Sequence, residues 1–281
     1  MLEFQNVSYV YSPKTPFEKT ALDNVSFTIP DGKVTGIIGH TGSGKSTLSL
    51  LMNGLHSPTS GRILLDGVDI CSKDIKKRDI RFKVGLVFQY PEYQLFEETV
   101  EKDIAYGPRN MGLGEEDIRE RILYAAHFTG ISDEMLKKSP FELSGGQKRR
   151  VAIAGVIAMD PQILVLDEPA AGLDPKGKSE ILSSLCDFRK KRDNTLVIIS
   201  HSMEDIASYS DNIITMSGGR ILLEGTPAEV FSHHDTLIEN GLAVPEVTEI
   251  LSRLRKDGFD VDLSRYTVDE AAEEIMRLLN K

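Results

Sequence analysis

Residues 39–46, Gly39-His40-Thr41-Gly42-Ser43-Gly44-Lys45-Ser46, fit the phosphate-binding loop pattern GxxxxGK[ST]. The run follows an apolar strand-like segment and precedes a helical pattern, which is the context that this motif needs. Glycines let backbone amides face phosphate oxygens, and the N-terminus of the following helix adds a positive dipole end. Lys45 is suited to neutralise the β and γ phosphates, and Ser46 is suited to hold magnesium. The flanks disfavour the alternative of a glycine-rich turn that binds nothing.

Two carboxylates, Asp167 and Glu168, close a second apolar segment at residues 163–166. Ionised carboxylates at the end of a buried strand are costly unless a cation or a proton satisfies them. Asp167 fits a magnesium ligand, and Glu168 fits the base that orients and activates an attacking water. Such a pair is commonly only the start of a solvated loop, so the phosphate loop upstream is what makes this prediction strong.

Polar residues follow two further apolar segments. Gln89 comes after residues 84–88, and Ser200 and His201 come after residues 196–199. In open parallel sheets the ligand crevice lies at the carboxyl ends of the strands. We therefore expect Gln89 and His201 to join the phosphate loop and the carboxylates at one edge of a sheet.

The elements that must position these side chains alternate along the chain, which predicts an α/β fold with helices on the faces of a sheet. Residues 97–150 lack a strand signal and indicate a charged helical insert. The strand-like runs are 34–38, 84–88, 163–166, 196–199 and 213–216, and the main helical patterns are 46–54, 145–159 and 176–191.

The last forty or so residues predict a small helical appendage. Pro245 suits a helix start and Gly258 the position just past its end, and Thr267 and Glu270 form a capping-box pattern. The expected apolar face of the final helix consists of Ala271, Ile275, Leu278 and Leu279. Packing against the parent domain is the simplest role, and a dimer contact is the alternative.

Composition limits the class of protein. A chain of 281 residues that is 40% hydrophobic can bury a sizeable core. Its formal net charge of −10 disfavours binding to nucleic acid, and we expect the basic run Lys148-Arg149-Arg150 to be a solvated helix face. Cys71 and Cys186 stand far apart, which argues against structural zinc and disulfides.

The apolar segments predict no membrane crossing. The longest are strand-sized, well below the roughly 20 residues that a spanning helix needs. The first residues, Met1-Leu2-Glu3-Phe4-Gln5-Asn6, have no basic or apolar region typical of a secretory signal. We therefore expect a cytosolic location.

The pentapeptide Leu143-Ser144-Gly145-Gly146-Gln147 narrows the class, because a phosphate loop alone also fits kinases, GTPases and helicases. With it, the sequence resembles the ABC ATPase superfamily, whose signature stands in the helical insert before the carboxylate strand. Ser144 and the free amides of Gly145 and Gly146 open a helix that can bind a γ phosphate. In the family that phosphate is bound to the opposite subunit, which implies a dimer around two ATP molecules.

The resemblance covers residues 1–230 and implies further roles. Tyr11 stands at the position that stacks on adenine, Gln89 is the Q-loop glutamine, Asp174 closes the D-loop and His201 is the switch histidine. Residues 171–174 read Ala-Gly-Leu-Asp where Ser-Ala-Leu-Asp is frequent. The implied catalytic residues are Glu168 and His201, the magnesium ligands Ser46, Gln89 and Asp167, and the ATP-binding residues Tyr11, Gly39, His40, Thr41, Gly42, Ser43, Gly44, Lys45, Ser46, Thr47, Gln89, Ser144, Gly145, Gly146 and Gln147.

The resemblance also implies an architecture: an ABC-type nucleotide-binding domain at 1–234, with a phosphate-loop core sheet, N-terminal antiparallel strands and a helical subdomain at about 97–155. The helical appendage would then be 235–281. Nothing in the sequence suggests that a catalytic residue has been replaced, so competent ATP hydrolysis is expected.

Residues 90–100, Tyr90-Pro91-Glu92-Tyr93-Gln94-Leu95-Phe96-Glu97-Glu98-Thr99-Val100, are similar to the form found in ATPases of energy-coupling factor (ECF) transporters. Those importers take up vitamins and transition metals through two ATPases, a transmembrane coupling subunit and a small substrate-binding membrane protein. Residues 39–42, 16–18 and 149–155 match the second ATPase. The resemblance implies a peripheral protein on the cytoplasmic face of the membrane, paired with a paralogous ATPase or with a second copy.

The aromatic residues Tyr90, Tyr93 and Phe96, interleaved with glutamates such as Glu92, suggest a groove for a partner helix that bears arginines. The alternative is that they only pack the insert onto the sheet. Another ABC importer, of the amino acid or cobalt type, remains the second candidate. A regulatory partner that binds but does not hydrolyse nucleotide is disfavoured by Glu168 and His201.

Overall fold

The computed structural model describes residues 1–279, which form two sheets and the helices that cover them. The strands are β1 (Leu2–Tyr11), β2 (Lys19–Ile29), β3 (Val34–Gly39), β4 (Ser60–Leu65), β5 (Val68–Asp69), β6 (Val84–Val87), β7 (Ile163–Asp167), β8 (Thr195–Ile199), β9 (Asn212–Ser217) and β10 (Arg220–Gly225). The helices are α1 (Lys45–Met52), α2 (Lys77–Lys83), α3 (Val100–Asn110), α4 (Glu115–Thr129), α5 (Asp133–Leu136), α6 (Gly145–Ile157), α7 (Pro175–Arg192), α8 (Met203–Tyr209), α9 (Pro227–Ser232), α10 (His234–Glu239), α11 (Glu246–Lys256) and α12 (Val268–Leu279). Short 3₁₀ turns lie at Pro91–Gln94 and Pro140–Glu142.

A six-stranded sheet in the order β10-β9-β3-β8-β7-β6 forms the centre of the fold. All its neighbouring pairs are parallel except β9 with β10. The five predicted strand segments match β3, β6, β7, β8 and β9 to within one residue at each end. Because β3, β8, β7 and β6 are parallel neighbours, the polar residues that follow them meet at one edge, as predicted.

Consecutive apolar residues in these strands cover both faces of the sheet. In β7, Ile163 and Val165 join one core cluster while Leu164 and Leu166 join the other. This pattern is typical of parallel strands that are buried on both sides. One face packs on α1 and the antiparallel sheet β2-β1-β4-β5, where Phe4 and Phe27 stack with ring centroids 4.5 Å apart.

Helices cover the other face, and the insert shares its core with the sheet. Between β6 and β7 the described chain contains helices and turns but no strand, so the predicted helical insert is confirmed. Ile104, Ile122 and Val151 of α3, α4 and α6 lie in one cluster with Leu164 and Leu166 of β7. The helices of the insert run from residue 100 to residue 157, close to the 97–155 expected for a helical subdomain.

The C-terminal helices form as the sequence predicts. Pro245 caps α11, and the Thr267 hydroxyl accepts the Glu270 N–H at 3.3 Å while the Glu270 carboxylate accepts the Thr267 N–H at 3.2 Å. A small separate core contains Leu251, Val261 and Ala271, with Ile275 and Leu278 packed against it. The prediction for Leu279 was wrong: its side chain is 74% exposed, because the next position after Leu278 points away from this core.

The boundary at 234/235 remains a prediction. Leu237, Leu242 and Val244 lie in the large core cluster, whereas the separate C-terminal cluster begins at Val247. Across residues 1–279, no helix combines the length and apolar character that a membrane span requires.

Substitution of Phe188 in α7 tests the packing of the core between the sheet and its helices. Phe188 is fully buried, with its ring centroid 5.7 Å from that of Phe128. We expect Phe188→Ala to lower the free energy of unfolding by about 3–5 kcal/mol, because it removes buried apolar contacts and leaves a cavity. Urea denaturation measures this. The control is Phe17→Ala, since Phe17 is 84% exposed and should change stability by less than about 0.5 kcal/mol. Equal losses in the two variants would contradict this packing.

Candidate functional site

A cavity of about 290 Å³ opens at the carboxyl edge of β3, β6, β7 and β8. Its lining comprises Tyr11, Lys19, Ala21, Thr41, Gly42, Gly44, Lys45, Ser46, Thr47, Gln89, Asp167, Glu168 and His201. Both predicted catalytic residues and all three predicted magnesium ligands are in this set. Gly39, His40 and Ser43 belong to the same loop but do not line the cavity.

The loop conformation depends on two glycines with positive φ. Gly42 has φ +83° and Gly44 has φ +108°, which residues with a Cβ rarely adopt. A Cβ on Gly44 would also lie 2.7 Å from the carbonyl oxygen of Ala21. Helix α1 begins at Lys45, so its first amides face the cavity edge without helical partners. This arrangement of free amides at a helix start is suited to an anion.

Lys45 is a buried cation in this loop. Its side chain is 6% exposed, and Nζ donates to the carbonyl oxygens of Gly39 at 2.6 Å and His40 at 3.1 Å. Burial lowers the pKa of Lys45, while the carboxylates of Glu168 and Asp167 act in the opposite direction. The carbonyl oxygens hold the ammonium group at the mouth of the loop, where phosphate oxygens would meet it.

Asp167 and Glu168 resist ionisation in the folded chain. Burial raises the pKa of Asp167, against the opposing effects of a hydrogen bond with Ser46 and the charge of Lys45. Burial and the neighbouring Asp167 raise the pKa of Glu168 to about 7. Glu168 Oε1 is buried and has no hydrogen-bond partner among residues 1–279. A group with this pKa can exchange a proton near neutral pH.

His201 stands beside Glu168 at the end of β8. Its Nε2 is 3.5 Å from Glu168 Oε1, and the ring is 53% exposed. Burial and the charge of Lys45 lower the pKa of His201, which favours the neutral ring at pH 7. The Glu168 backbone has φ +53°, and its N–H donates to the Ile199 carbonyl at 2.9 Å, which ties the loop after β7 to β8.

Aromatic side chains form the opposite wall. The Tyr11 hydroxyl lies 3.2 Å from Thr47 Oγ1, which joins the end of β1 to helix α1. Tyr9 packs edge-on against Tyr11 with ring centroids 4.8 Å apart and stacks on His56 at 5.2 Å. Neither Tyr9 nor His56 belongs to a motif that the sequence shows. Tyr11 is therefore held by neighbours on two sides.

The signature residues lie away from this cavity within the chain. Ser144 caps α6: its hydroxyl accepts the Gln147 N–H at 3.4 Å, and its own N–H donates to Gln147 Oε1 at 2.9 Å. Ser144 and Gly145 are exposed, and a Cβ on Gly146 would lie 3.2 Å from Leu173 Cδ2. The structure thus brings the loop, the carboxylates, Gln89 and His201 together, and leaves Ser144 to Gln147 on a separate surface.

The donors at the cavity suit a hard divalent cation. The Ser46 hydroxyl, the Gln89 amide oxygen and the Asp167 carboxylate are oxygen ligands of the kind that Mg²⁺ prefers. A contribution from the Ser46 hydroxyl opposes the rise in the pKa of Asp167, and both residues line the cavity. Within residues 1–279, no group of three or more His, Cys, Asp or Glu side chains is arranged to hold a metal ion by itself. A metal bound at this edge would therefore depend on mixed oxygen donors.

Three features were missed or misread from the sequence. Lys19 and Ala21 of β2 line the cavity but belong to no motif, so the pattern gave no signal for them. The predicted solvated face at Lys148-Arg149-Arg150 was wrong for Arg149, which is only 4% exposed and pairs with Glu92. Glu92, expected to face a partner helix, is instead bound within the chain.

The sequence has close relatives. A family model described as ABC transporter matches residues 22–171. The energy-coupling factor transporter ATP-binding protein EcfA2 of Clostridium acetobutylicum is 56% identical over 279 residues, covering 99% of this chain and 98% of that protein. The protein of the same name from Clostridium perfringens is 53% identical over 279 residues, with the same coverage.

Solved structures have the same fold. The cbiO1 protein of Clostridium perfringens, described as part of the ABC transporter complex cbiONQ, gives a TM-score of 0.75 at 40% identity and covers 92% of this chain and 96% of that one. An ATP-binding cassette solved as a dimer in a post-hydrolysis state, bound to ADP and Pi, gives 0.73 at 28% identity and covers 81% and 99%.

The raised pKa of Glu168 predicts how the stability of the chain depends on pH. Unfolded, this group ionises with a pKa of 4.5; folded, with a pKa of about 7. A raised carboxyl pKa favours the folded chain below pH 4.5, and this contribution is lost as pH rises through 7. Without nucleotide or metal, we expect Glu168→Gln to abolish a fall on the order of 3 kcal/mol in unfolding free energy between pH 4.5 and pH 8.

Urea denaturation in the presence of EDTA at several pH values measures this difference. Glu142→Gln removes an exposed carboxylate and serves as the matched control, which should retain the fall. Parallel pH profiles for wild type and Glu168→Gln would contradict the assignment.

Proposed function

The chain belongs to the ABC transporter family, among the energy-coupling factor transporter ATP-binding proteins, and we propose that it hydrolyses ATP to drive an ECF-type importer. The observation that carries this function is the single cavity in which Lys45, Asp167, Glu168 and His201 meet. A phosphate loop, a metal-binding carboxylate, a base and a switch histidine are the parts that phosphoryl transfer to water requires.

In the proposed site, ATP lies with its phosphates on the loop and its adenine against Tyr11. The free amides at the start of α1 and the Lys45 ammonium face the β and γ phosphates. Ser46, Gln89 and Asp167 would hold Mg²⁺, which when bound neutralises charge on the phosphate oxygens. The shared lining of one cavity by Ser46, Gln89 and Asp167 supports this placement.

Glu168 is the proposed base. Its buried Oε1 without a partner is placed to accept a hydrogen bond from the attacking water. A pKa of about 7 allows the carboxylate to take the water proton near neutral pH. His201, 3.5 Å away and favoured in its neutral form, can donate one ring N–H towards the γ phosphate while its other nitrogen accepts. Glu168 and His201 thus hold water and phosphate in line.

The proposed working unit is a dimer of cassettes. Ser144, Gly145, Gly146 and Gln147 open helix α6 on an exposed surface, where free amides suit a γ phosphate. Because they lie apart from the cavity of their own chain, the phosphate that they bind would be held by an opposite subunit. That subunit is a paralogous ATPase in our proposal, and a second copy of this chain is the alternative.

A groove beside the Pro91–Gln94 turn is the proposed contact with the membrane partner. It has a volume of about 330 Å³, and Phe96 packs edge-on against Tyr106 at 4.9 Å on its rim. Phe96 is 59% exposed and Tyr93, nearby, 84% exposed. Asp103, in the floor, accepts the N–H of Glu97 at 3.2 Å and shapes the turn. Exposed aromatics beside a groove suit the docking of a helix.

The proposed assembly is peripheral on the cytoplasmic face of the membrane. A transmembrane coupling subunit would fill the groove, and small substrate-binding membrane proteins, which this chain would not touch, would choose the vitamin or transition metal ion. The second candidate is the ATPase of another ABC importer, of the amino acid or cobalt type. The 40% identity to cbiO1, part of the ABC transporter complex cbiONQ, supports this second candidate.

Replacing the base tests the hydrolytic function. We expect Glu168→Gln to lower kcat for ATP by about 10²–10⁴-fold, because the amide cannot take a proton from water. Steady-state phosphate release measures kcat, and binding of a fluorescent ATP analogue checks that the site still takes nucleotide. Glu142→Gln is the matched control and should retain turnover. A wild-type chain without turnover in its assembled form would contradict hydrolysis and favour a regulatory role.

Replacing the groove aromatics tests the transporter assignment. We expect Tyr93→Ala with Phe96→Ala to reduce recovery of a polytopic membrane protein in mild detergent, since each truncated anchor should cost about 2 kcal/mol of binding. Leu123→Ala, at a 48% exposed site on α4, is the control. Mass spectrometry of the tagged wild type should find a second ABC ATPase and small membrane proteins. Recovery of a conventional permease pair instead would favour the second candidate.

A further inference from the structure

Arg149 is a buried arginine whose guanidinium joins two separate segments. It lies in the first turns of α6, and its side chain is 4% exposed. Nε and Nη2 donate to the Glu92 carboxylate at 3.2 Å, and Nη1 donates to the carbonyl oxygen of Ala171. A planar fork can make these contacts at the same time, whereas a single ammonium group cannot.

One segment held by Arg149 faces outward. Glu92 lies in the Pro91–Gln94 turn, which directly follows Gln89 of the cavity and the exposed Tyr90. Tyr90 and Tyr93 are 51% and 84% exposed, and their ring centroids lie 6.3 Å apart. Glu92 itself is 17% exposed, so its carboxylate is turned inward to Arg149 while the tyrosines face solvent.

The other segment belongs to the loop after Glu168. The Ala171 N–H donates to the Glu168 carbonyl at 3.3 Å, and the Ala171 carbonyl accepts a hydrogen bond from Arg149. Leu173, further along, lies near the start of α6, since a Cβ added to Gly146 would be 3.2 Å from Leu173 Cδ2. The guanidinium is therefore two hydrogen bonds away from the backbone of Glu168, which itself holds a positive φ.

We propose that Arg149 is a positioning residue that ties the Pro91–Gln94 turn to the loop of Glu168, so that displacement of the exposed tyrosines changes the placement of the base. The contacts stand by themselves, whereas the role of Glu168 as the base and the source of the displacement rest on the proposed function. Stability alone is a poor explanation for the pair, because a buried ion pair often contributes little compared with apolar side chains of similar volume.

The test compares Arg149→Lys and the double variant Glu92→Met/Arg149→Met with wild type in the intact complex extracted with mild detergent. The double variant leaves no unpaired buried charge, so we expect it to fold. Its kcat for ATP should fall about tenfold or more while KM stays within about twofold, since a displaced base slows chemistry without weakening nucleotide binding. Arg149→Lys should also remain slow, because it keeps the charge but not the fork.

Arg150 provides the matched control. It lies next to Arg149 on α6 and also links helices, donating to Glu180 of α7 at 2.8 Å and to the Thr129 carbonyl at 3.1 Å, rather than to Glu92 or Ala171. Arg150→Met should keep kcat within about twofold of wild type.

Three results would overturn the inference: wild-type kcat in the double variant, full rescue by Arg149→Lys, or an equal loss in Arg150→Met. A wild-type complex that does not hydrolyse ATP would refute the proposed function instead. Failure of the inference and failure of the proposed function are therefore distinguishable.

Discussion

The parallel pairing of β3, β8, β7 and β6 is the constraint on which the site depends. These strands are mostly apolar on both faces, so the charged and catalytic side chains lie where the strands end. Because the strands run the same way, their ends meet at one edge, and the loop, the carboxylates, Gln89 and His201 arrive there from distant parts of the sequence. The two faces of the sheet thus form the core, and its edge holds the candidate functional residues.

The same arrangement leaves charged and polar groups buried with few hydrogen-bond partners. Lys45 and Asp167 are nearly buried, Glu168 is held with a raised pKa, and the hydroxyl of Ser43 and one oxygen of Glu168 lack partners. Burying such groups without compensation costs free energy. A ligand that brings both anionic oxygens and a cation satisfies them together, so its binding energy includes the relief of this cost. The free-energy cost of these groups in the empty site therefore contributes to the affinity for the ligand.

Much of this could be predicted from the sequence because the signals are local. A strand followed by GxxxxGK[ST] fixes the course of the backbone by sterics and hydrogen bonding within a few residues, and the Thr267 capping box formed as predicted. Contacts between distant segments were not visible. The burial of Arg149 depends on Glu92 and Ala171, and the place of Lys19 depends on how β2 crosses the loop. The predicted burial of Leu279 was wrong for a simpler reason. Residue spacing predicts which face of a helix is apolar, but it does not say where the neighbouring core ends.

The signature surface has a consequence for solution behaviour. Ser144 to Gln147 do not line the cavity of their own chain, so in the proposed assembly a single chain offers nucleotide only an open half of its binding surface. Closing that surface is then a bimolecular event governed by mass action. The nucleotide affinity of the chain becomes a function of protein concentration: weak when dilute, and stronger once two cassettes face each other. Tethering to a shared membrane partner would hold the local concentration high, and the cell would set ATP occupancy through assembly as much as through ATP supply.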